Sequence, residues 1–167
     1  DTLLGRPLLS LFGLAARILG AVLNRNHKRD PVRSILILKF QGIGSLALAI
    51  PSLVELRNTF PKARLIFWGS PSTAALAKTL TIWDEVHALD DRGLLTAAFS
   101  VLKMMRHLIR MKIDWAFDLE VYSKLSSILL TLSCARNRVG FATSSVPDRF
   151  RIHTTLIYFN RYRHVGD

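Results

Sequence analysis

The sequence predicts an α/β fold, a Rossmann-like doubly wound parallel sheet, on three observations. Short β-rich apolar runs alternate with helical segments from about residue 34 onward, as in a sheet covered by helices on both faces. The first run, Ser34-Ile35-Leu36-Ile37-Leu38-Lys39, is apolar at every interior position instead of alternating, which marks a strand buried on both faces. It enters a glycine-containing turn, Gln41-Gly42-Ile43-Gly44-Ser45, that leads directly into a helical pattern.

The remaining elements follow in order. A helix is expected from about Leu46 to Phe60, with Pro51 either kinking it or marking its effective start. Arg64-Leu65-Ile66-Phe67-Trp68 reads as the second strand, and Gly69-Ser70-Pro71-Ser72 as a turn and N-cap into a short helix ending near Leu80. Glu85-Val86-His87-Ala88-Leu89 reads as a third, short strand. A long helix over 93–111 places Leu94, Leu95, Ala98, Leu102, Met105, Leu108 and Ile109 on one broad apolar face. Trp115-Ala116-Phe117-Asp118-Leu119 is the fourth strand, 123–134 a helix opened by Ser123, and Arg138-Val139-Gly140-Phe141 the fifth strand.

Half of the 167 residues are hydrophobic, enough for a core and incompatible with disorder by composition. The single cysteine, Cys134, lies in an apolar run; it excludes an internal disulfide framework and a cysteine zinc site and reads as a small buried side chain. The net charge is +11, concentrated at the two ends. Residues 1–33 carry a net +4, and residues 136–164 a net +5, from Arg136, Arg138, Arg149, Arg151, Arg161 and Arg163 against Asp148. Such an excess favours an anionic partner, a membrane surface or a phosphorylated lipid, with a solvated basic face as the plainer alternative. Nucleic acid is set aside, since there is no zinc-finger spacing, no aromatic-glycine RNA-binding pattern and no long basic helix.

Residues 3–23, LLGRPLLSLFGLAARILGAVL, are apolar with Arg6, Pro7 and Arg17 interspersed, and are followed by Arg25, His27, Lys28 and Arg29. The helical spacing and flanking bases suit an interfacial helix on an anionic leaflet. A helix packed on the domain and a true membrane span are the alternatives. Asp30-Pro31 reads as the boundary, dividing the chain into a membrane-associating segment, 1–30, and a Rossmann-like domain, 31–167. The first residue is Asp and the final RYRHVGD carries no structural terminator, so the chain is expected to be part of a longer protein.

In an open parallel sheet, ligands bind outside the carboxyl ends of the strands, which selects two places. The turn Gln41–Ser45 offers close backbone approach and the free N–H groups of a helix start; a tight strand-to-helix turn is the plainer reading. It lacks the full dinucleotide fingerprint and the lysine-serine pair of a P-loop. The second place is Asp118-Leu119-Glu120-Val121-Tyr122-Ser123-Lys124. Asp118 is read as a helix cap or loop brace, and Glu120 as directed into the cleft, where a carboxylate accepts a proton from an attacking hydroxyl. The five histidines show no HExxH spacing and there is no GxSxG elbow; His107 is expected on a helix surface and His87 at a strand edge.

Three stretches together resemble glycosyltransferase family 9, the heptosyltransferases: ILILKFQGIGSLALAIPSLVELRNTFPKARLIF, WDEVHALDDRG, and DWAFDLEVYSKLSSILLTLSCARNRVGF. The C-terminal HTTLIYFNRYRH also looks like a subgroup of that family. The resemblance implies the N-terminal, acceptor-side half of a GT-B enzyme of two Rossmann-like halves. A C-terminal half would bind the nucleotide-sugar donor, usually ADP-heptose, and no resident cofactor or metal is implied. Transfer would proceed with inversion to a lipopolysaccharide core or related glycolipid at the cytoplasmic face of a bacterial inner membrane. Carried onto this chain, Lys39, Gln41, Gly42 and Gly44 would line the acceptor cleft, and Tyr122, Lys124 and Arg138 would contact sugar or phosphate. The family's loop reads Gly-Asp, the Asp serving as base; here Ser45 follows Gly44. An unaided serine hydroxyl is no base, so Glu120 becomes the candidate, with Ser45 beside the reaction centre. The rival functions are a non-catalytic, membrane-associated glycolipid-binding module and a different Rossmann-type enzyme with a nucleotide in the first turn. The latter is disfavoured by Trp68-Gly69 where an acidic ribose ligand would end strand two.

Overall fold

A computed structural model describes residues 31–142 and 152–158; the apolar segment 3–23 and Arg149, Arg151, Arg161 and Arg163 lie outside the described residues. The chain forms β1 (Ser34–Lys39), α1 (Ile43–Thr59), β2 (Arg64–Gly69), α2 (Pro71–Lys78), β3 (Glu85–Ala88), α3 (Leu94–Met111), β4 (Trp115–Asp118), α4 (Lys124–Leu132), β5 (Asn137–Ala142) and β6 (Thr155–Tyr158). The sheet is parallel throughout, in the order β3-β2-β1-β4-β5-β6. This is the doubly wound order, whose direction of winding reverses between β1 and β4 and opens a crevice at their carboxyl ends.

The continuous apolar runs are explained by two cores. Leu36 and Leu38 of β1 with Ile66 and Trp68 of β2 face one side, against Met104, Met105 and Leu108 of α3 and Leu129 and Leu130 of α4. Ile35, Ile37, Leu65 and Phe67 face the other, against Leu46 and Leu53 of α1 and Ala74 and Ala77 of α2. Alternate residues of one strand thus enter opposite cores, so the interior positions of β1 and β2 are apolar on both faces. Cys134 is buried, as its sequence context implies.

Three expectations change, and the choice left open for Pro51 is decided. α1 starts at Ile43, within the glycine turn, because Gly42 takes a left-handed conformation (φ 77°) that turns the chain straight into the helix. Pro51 lies inside α1. A sixth strand, Thr155–Tyr158, extends the sheet at its edge beside β5. On α3 the expected apolar face does not pack as a unit: Met104, Met105 and Leu108 are buried, whereas Leu94, Leu95 and Leu102 are exposed. Only the C-terminal half of α3 lies over the core, so apolar periodicity outruns burial. No helix among the described residues is long and apolar enough to cross a membrane.

Candidate functional site

The crevice at the β1/β4 switch point is built around one carboxylate. Glu120, just past β4, is 4% exposed. Its Oε1 accepts hydrogen bonds from the backbone N–H of Phe40 (2.8 Å) and of Gln41 (2.7 Å). Its Oε2 lies 3.5 Å from Lys39 Nζ, which also donates to the Leu119 carbonyl at 3.0 Å. Lys39 is itself buried. An isolated buried cation would be costly; here carboxylate and carbonyl compensate it. The segment after β1 is thereby tied to the segment after β4.

A second carboxylate holds the first. Asp118 Oδ1 accepts from the Glu120 N–H (3.0 Å), and Asp118 Oδ2 from the hydroxyls of Ser126 (2.9 Å) and Ser127 (3.4 Å) at the start of α4. Ser123 caps that helix by accepting from Ser126 N–H. Asp118 therefore braces the loop. Glu120 is turned inward onto the β1 segment rather than out into the cleft as expected. Both oxygens already meet donors.

On the solvent side of this brace sits the glycine turn. Gln41, Gly42, Gly44 and Ser45 are all exposed. The Ser45 hydroxyl donates to the Gly42 carbonyl at 2.9 Å, and no side chain caps α1. The first-turn N–H groups of α1 are thus directed at the crevice, an arrangement suited to a polar or anionic group. β1 and β2 approach closely beneath it: a Cβ at Gly69 would collide with the Lys39 carbonyl oxygen and the Thr73 hydroxyl. Thr73 of α2 donates to that carbonyl at 2.7 Å. Phe40 packs edge-on against Trp68, ring centres 5.5 Å apart.

Of the other expected ligand-contacting residues, Tyr122 is exposed on the loop after β4 and Lys124 opens α4, so both stand at this rim. Arg138 does not. It is the second residue of β5, near the amino end, paired in register with Ala116. Its guanidinium donates to the carbonyls of Ile152 (2.9 Å) and Ala135 (3.1 Å). Burial pulls it below the usual arginine range, against an opposing pull from Cys134. Arg138 ties the β5–β6 region together instead of meeting a ligand at the crevice.

One constellation went unseen in the sequence. His87 of β3 and His107 of α3 each place Nε2 2.8 Å from Glu85 Oε2, and Arg64 Nε lies 2.7 Å from Glu85 Oε1. Burial would raise the Glu85 carboxyl; the bonds and charges of His87, His107 and Arg64 outweigh it and hold the group below its ordinary value. The three ligand atoms lie within 4.8 Å of one another, close enough to share a metal ion. A cavity of about 250 Å³ beside them is lined by Trp68, His87, Ser100, Lys103 and His107 among others. Glu85 and His87 alternate onto one face of a strand, a visible signal; His107 arrives from 20 residues farther on, which is not.

Comparison with solved structures finds the same fold in proteins described as sugar transferases. A glycosyl transferase family 9 protein from Veillonella parvula superposes with a TM-score of 0.66 at 17% identity, over 83% of this chain and 40% of that one. E. coli ADP-heptose LPS heptosyltransferase II gives 0.61 at 14% identity, over 77% and 35%. E. coli heptosyltransferase WaaC with ADP gives 0.62 at 13%, over 78% and 43%. The chain therefore spans about 40% of the length of these neighbours. No protein-family model matches the sequence, and no curated protein matches it significantly. At these identities the likeness establishes the fold, a Rossmann-like half of the GT-B kind.

Proposed function

We propose that this chain is the acceptor-side half of an inverting glycosyltransferase that moves a sugar, heptose from ADP-heptose, onto a lipopolysaccharide core or related glycolipid. The observation that carries the reading is the superposition on a glycosyl transferase family 9 protein and on heptosyltransferases over 77–83% of this chain. The site agrees with it. The uncapped start of α1 and the exposed loop with Gln41, Gly42, Gly44 and Ser45 offer backbone donors to a phosphorylated sugar. Tyr122 and Lys124 stand at the same rim. A donor-binding half would be a second α/β unit closing over this crevice.

In this reading Glu120 is a positioning residue. With both oxygens engaged by the β1 segment, it fixes the height of the turn that faces the acceptor, and Lys39 acts with it from below. The test is transfer from ADP-heptose to a heptose-less lipopolysaccharide by the polypeptide that carries these residues together with its donor half. Transfer that disappears on Gly44→Val, with folding retained, supports the reading. No transfer by a folded protein that still binds the acceptor refutes it. That outcome would leave the second reading, a non-catalytic glycolipid-binding module, favoured here by Ser45 at the family's Asp position.

A further inference from the structure

The exposed end of α3 has no role in the site above. Leu94, Leu95, Phe99 and Leu102 are between 67% and 88% exposed, a density of open apolar surface that marks an interaction face. At about 100° per residue, Leu95, Phe99, Leu102, Arg106 and Arg110 fall within one sector roughly 80° wide. They form a single stripe along the helix, apolar at its start and cationic toward its end. Lys103 and Lys112 are exposed beside it, and no acidic residue occurs from Leu94 to Met111.

We infer that this stripe docks on an anionic lipid bilayer. Charge complementarity selects that occupant: with the start of α3 tilted into the bilayer, the leucines and phenylalanine enter the acyl boundary while Lys103, Arg106 and Arg110, farther along the helix, meet the phosphate layer. A two-fold pairing with a second copy would bury the apolar start but supply no anion from α3 to Arg106 and Arg110, since the helix carries no acidic residue. The direction of α3 adds the functional link. It follows β3, so its apolar start lies at the carboxyl edge of the sheet, the edge that carries the glycine turn and Glu120. The lipid would then be held at the rim where its sugar headgroup is used, a deepening that rests on the glycolipid-acceptor reading.

The experiment measures binding of the full chain to phosphatidylcholine vesicles with and without phosphatidylglycerol. The triple variant Leu95→Ser/Phe99→Ser/Leu102→Ser and the pair Arg106→Gln/Arg110→Gln are compared with it. The expected result is a loss of at least tenfold in anionic-vesicle binding for the triple variant. The pair should lose about fivefold per cation, with circular dichroism unchanged for both. Because other segments also bear charge, Phe99→Trp is the local readout: lipids brominated in the acyl chain should quench it beyond the quenching of the native protein, whose Trp68 is buried and Trp83 and Trp115 half-buried. Vesicle binding that both variants retain within threefold, or an unquenched Trp at 99, overturns the proposal. Transfer to a deacylated, water-soluble acceptor, which the α3 variants should leave unchanged, separates the two ideas. If that transfer is absent while vesicle binding behaves as stated, the enzymatic reading fails and the lipid surface stands.

Discussion

Replacing Glu120 with Gln should cost about 3–4 kcal/mol of stability, and the structure shows where that figure comes from. The amide can keep one oxygen on the Phe40 and Gln41 N–H groups, but it offers Lys39 no charge. Lys39 Nζ, with its side chain 7% exposed, would retain the Leu119 carbonyl as its partner. Removing one member of a buried ion pair costs about 3–5 kcal/mol, chiefly through the charge left behind. The 3.5 Å separation argues for the lower end. Weakening two charge-assisted bonds adds about 1 kcal/mol, not strictly additive. Urea unfolding at neutral pH measures the loss, and a cycle with Lys39→Met isolates the pair. Lys39→Met/Glu120→Gln should recover about 1 kcal/mol or more relative to the sum of the single variants. A Glu120→Gln loss below about 1 kcal/mol, with an unchanged denaturant slope, would refute the brace. In the complete enzyme, a stable variant with collapsed turnover would return Glu120 to the role of base.

Three further outcomes are expected. Gly69→Ala should lower stability by about 2 kcal/mol or more, since the added methyl meets backbone and a short side chain rather than a flexible tip; thermal unfolding reports it. Lys112 ends α3 exposed and in the left-handed region at φ 53°, so Lys112→Gly should stabilise by about 0.5–1 kcal/mol in denaturant titration. Asp84 is influenced first by burial, which raises it, but the bond from Arg57, the Leu65 N–H and the charges of Arg57 and Arg64 hold it below 3.8. A depressed folded value means its stabilisation is present above the ordinary carboxylate range and is lost as pH falls through that range and below it. Asp84→Asn should therefore flatten the fall of stability below about pH 4, followed by acid titration of the unfolding midpoint.

Strands β1 and β2 were legible because burial on both faces leaves short, unbroken apolar runs, here bounded by turn residues. β6 was not, since an edge strand with exposed Ile157 and Tyr158 satisfies no such pattern. α3 was legible as a helix but not as a packed one, because periodicity records which residues are apolar and not what covers them. At the site, alternation put Asp118 and Glu120 on one face of β4. It could not say that the chain leaves the strand at Asp118, after which orientation is set by contacts about 80 residues away in sequence, with Phe40 and Gln41. The Glu85–His87–His107 meeting was hidden for the same reason.

The strand order supplies the reason that one carboxylate carries so much. Between β1 and β4 the winding reverses, so the connections from these neighbouring strands leave toward opposite faces and no crossover helix ties their ends together. The crevice that this creates for a ligand is also a place where two loops would otherwise drift independently. Glu120 closes that gap with three donors from the β1 segment, and Asp118 fixes Glu120 in turn through α4. The βα helices among the described residues begin on this same rim, and exposed apolar side chains occur along it: Ile43 at α1, Leu94 and Leu95 at α3, Tyr122 and Leu125 around the start of α4. A polar, braced centre with exposed apolar side chains near it is what the glycolipid-acceptor proposal requires of this rim.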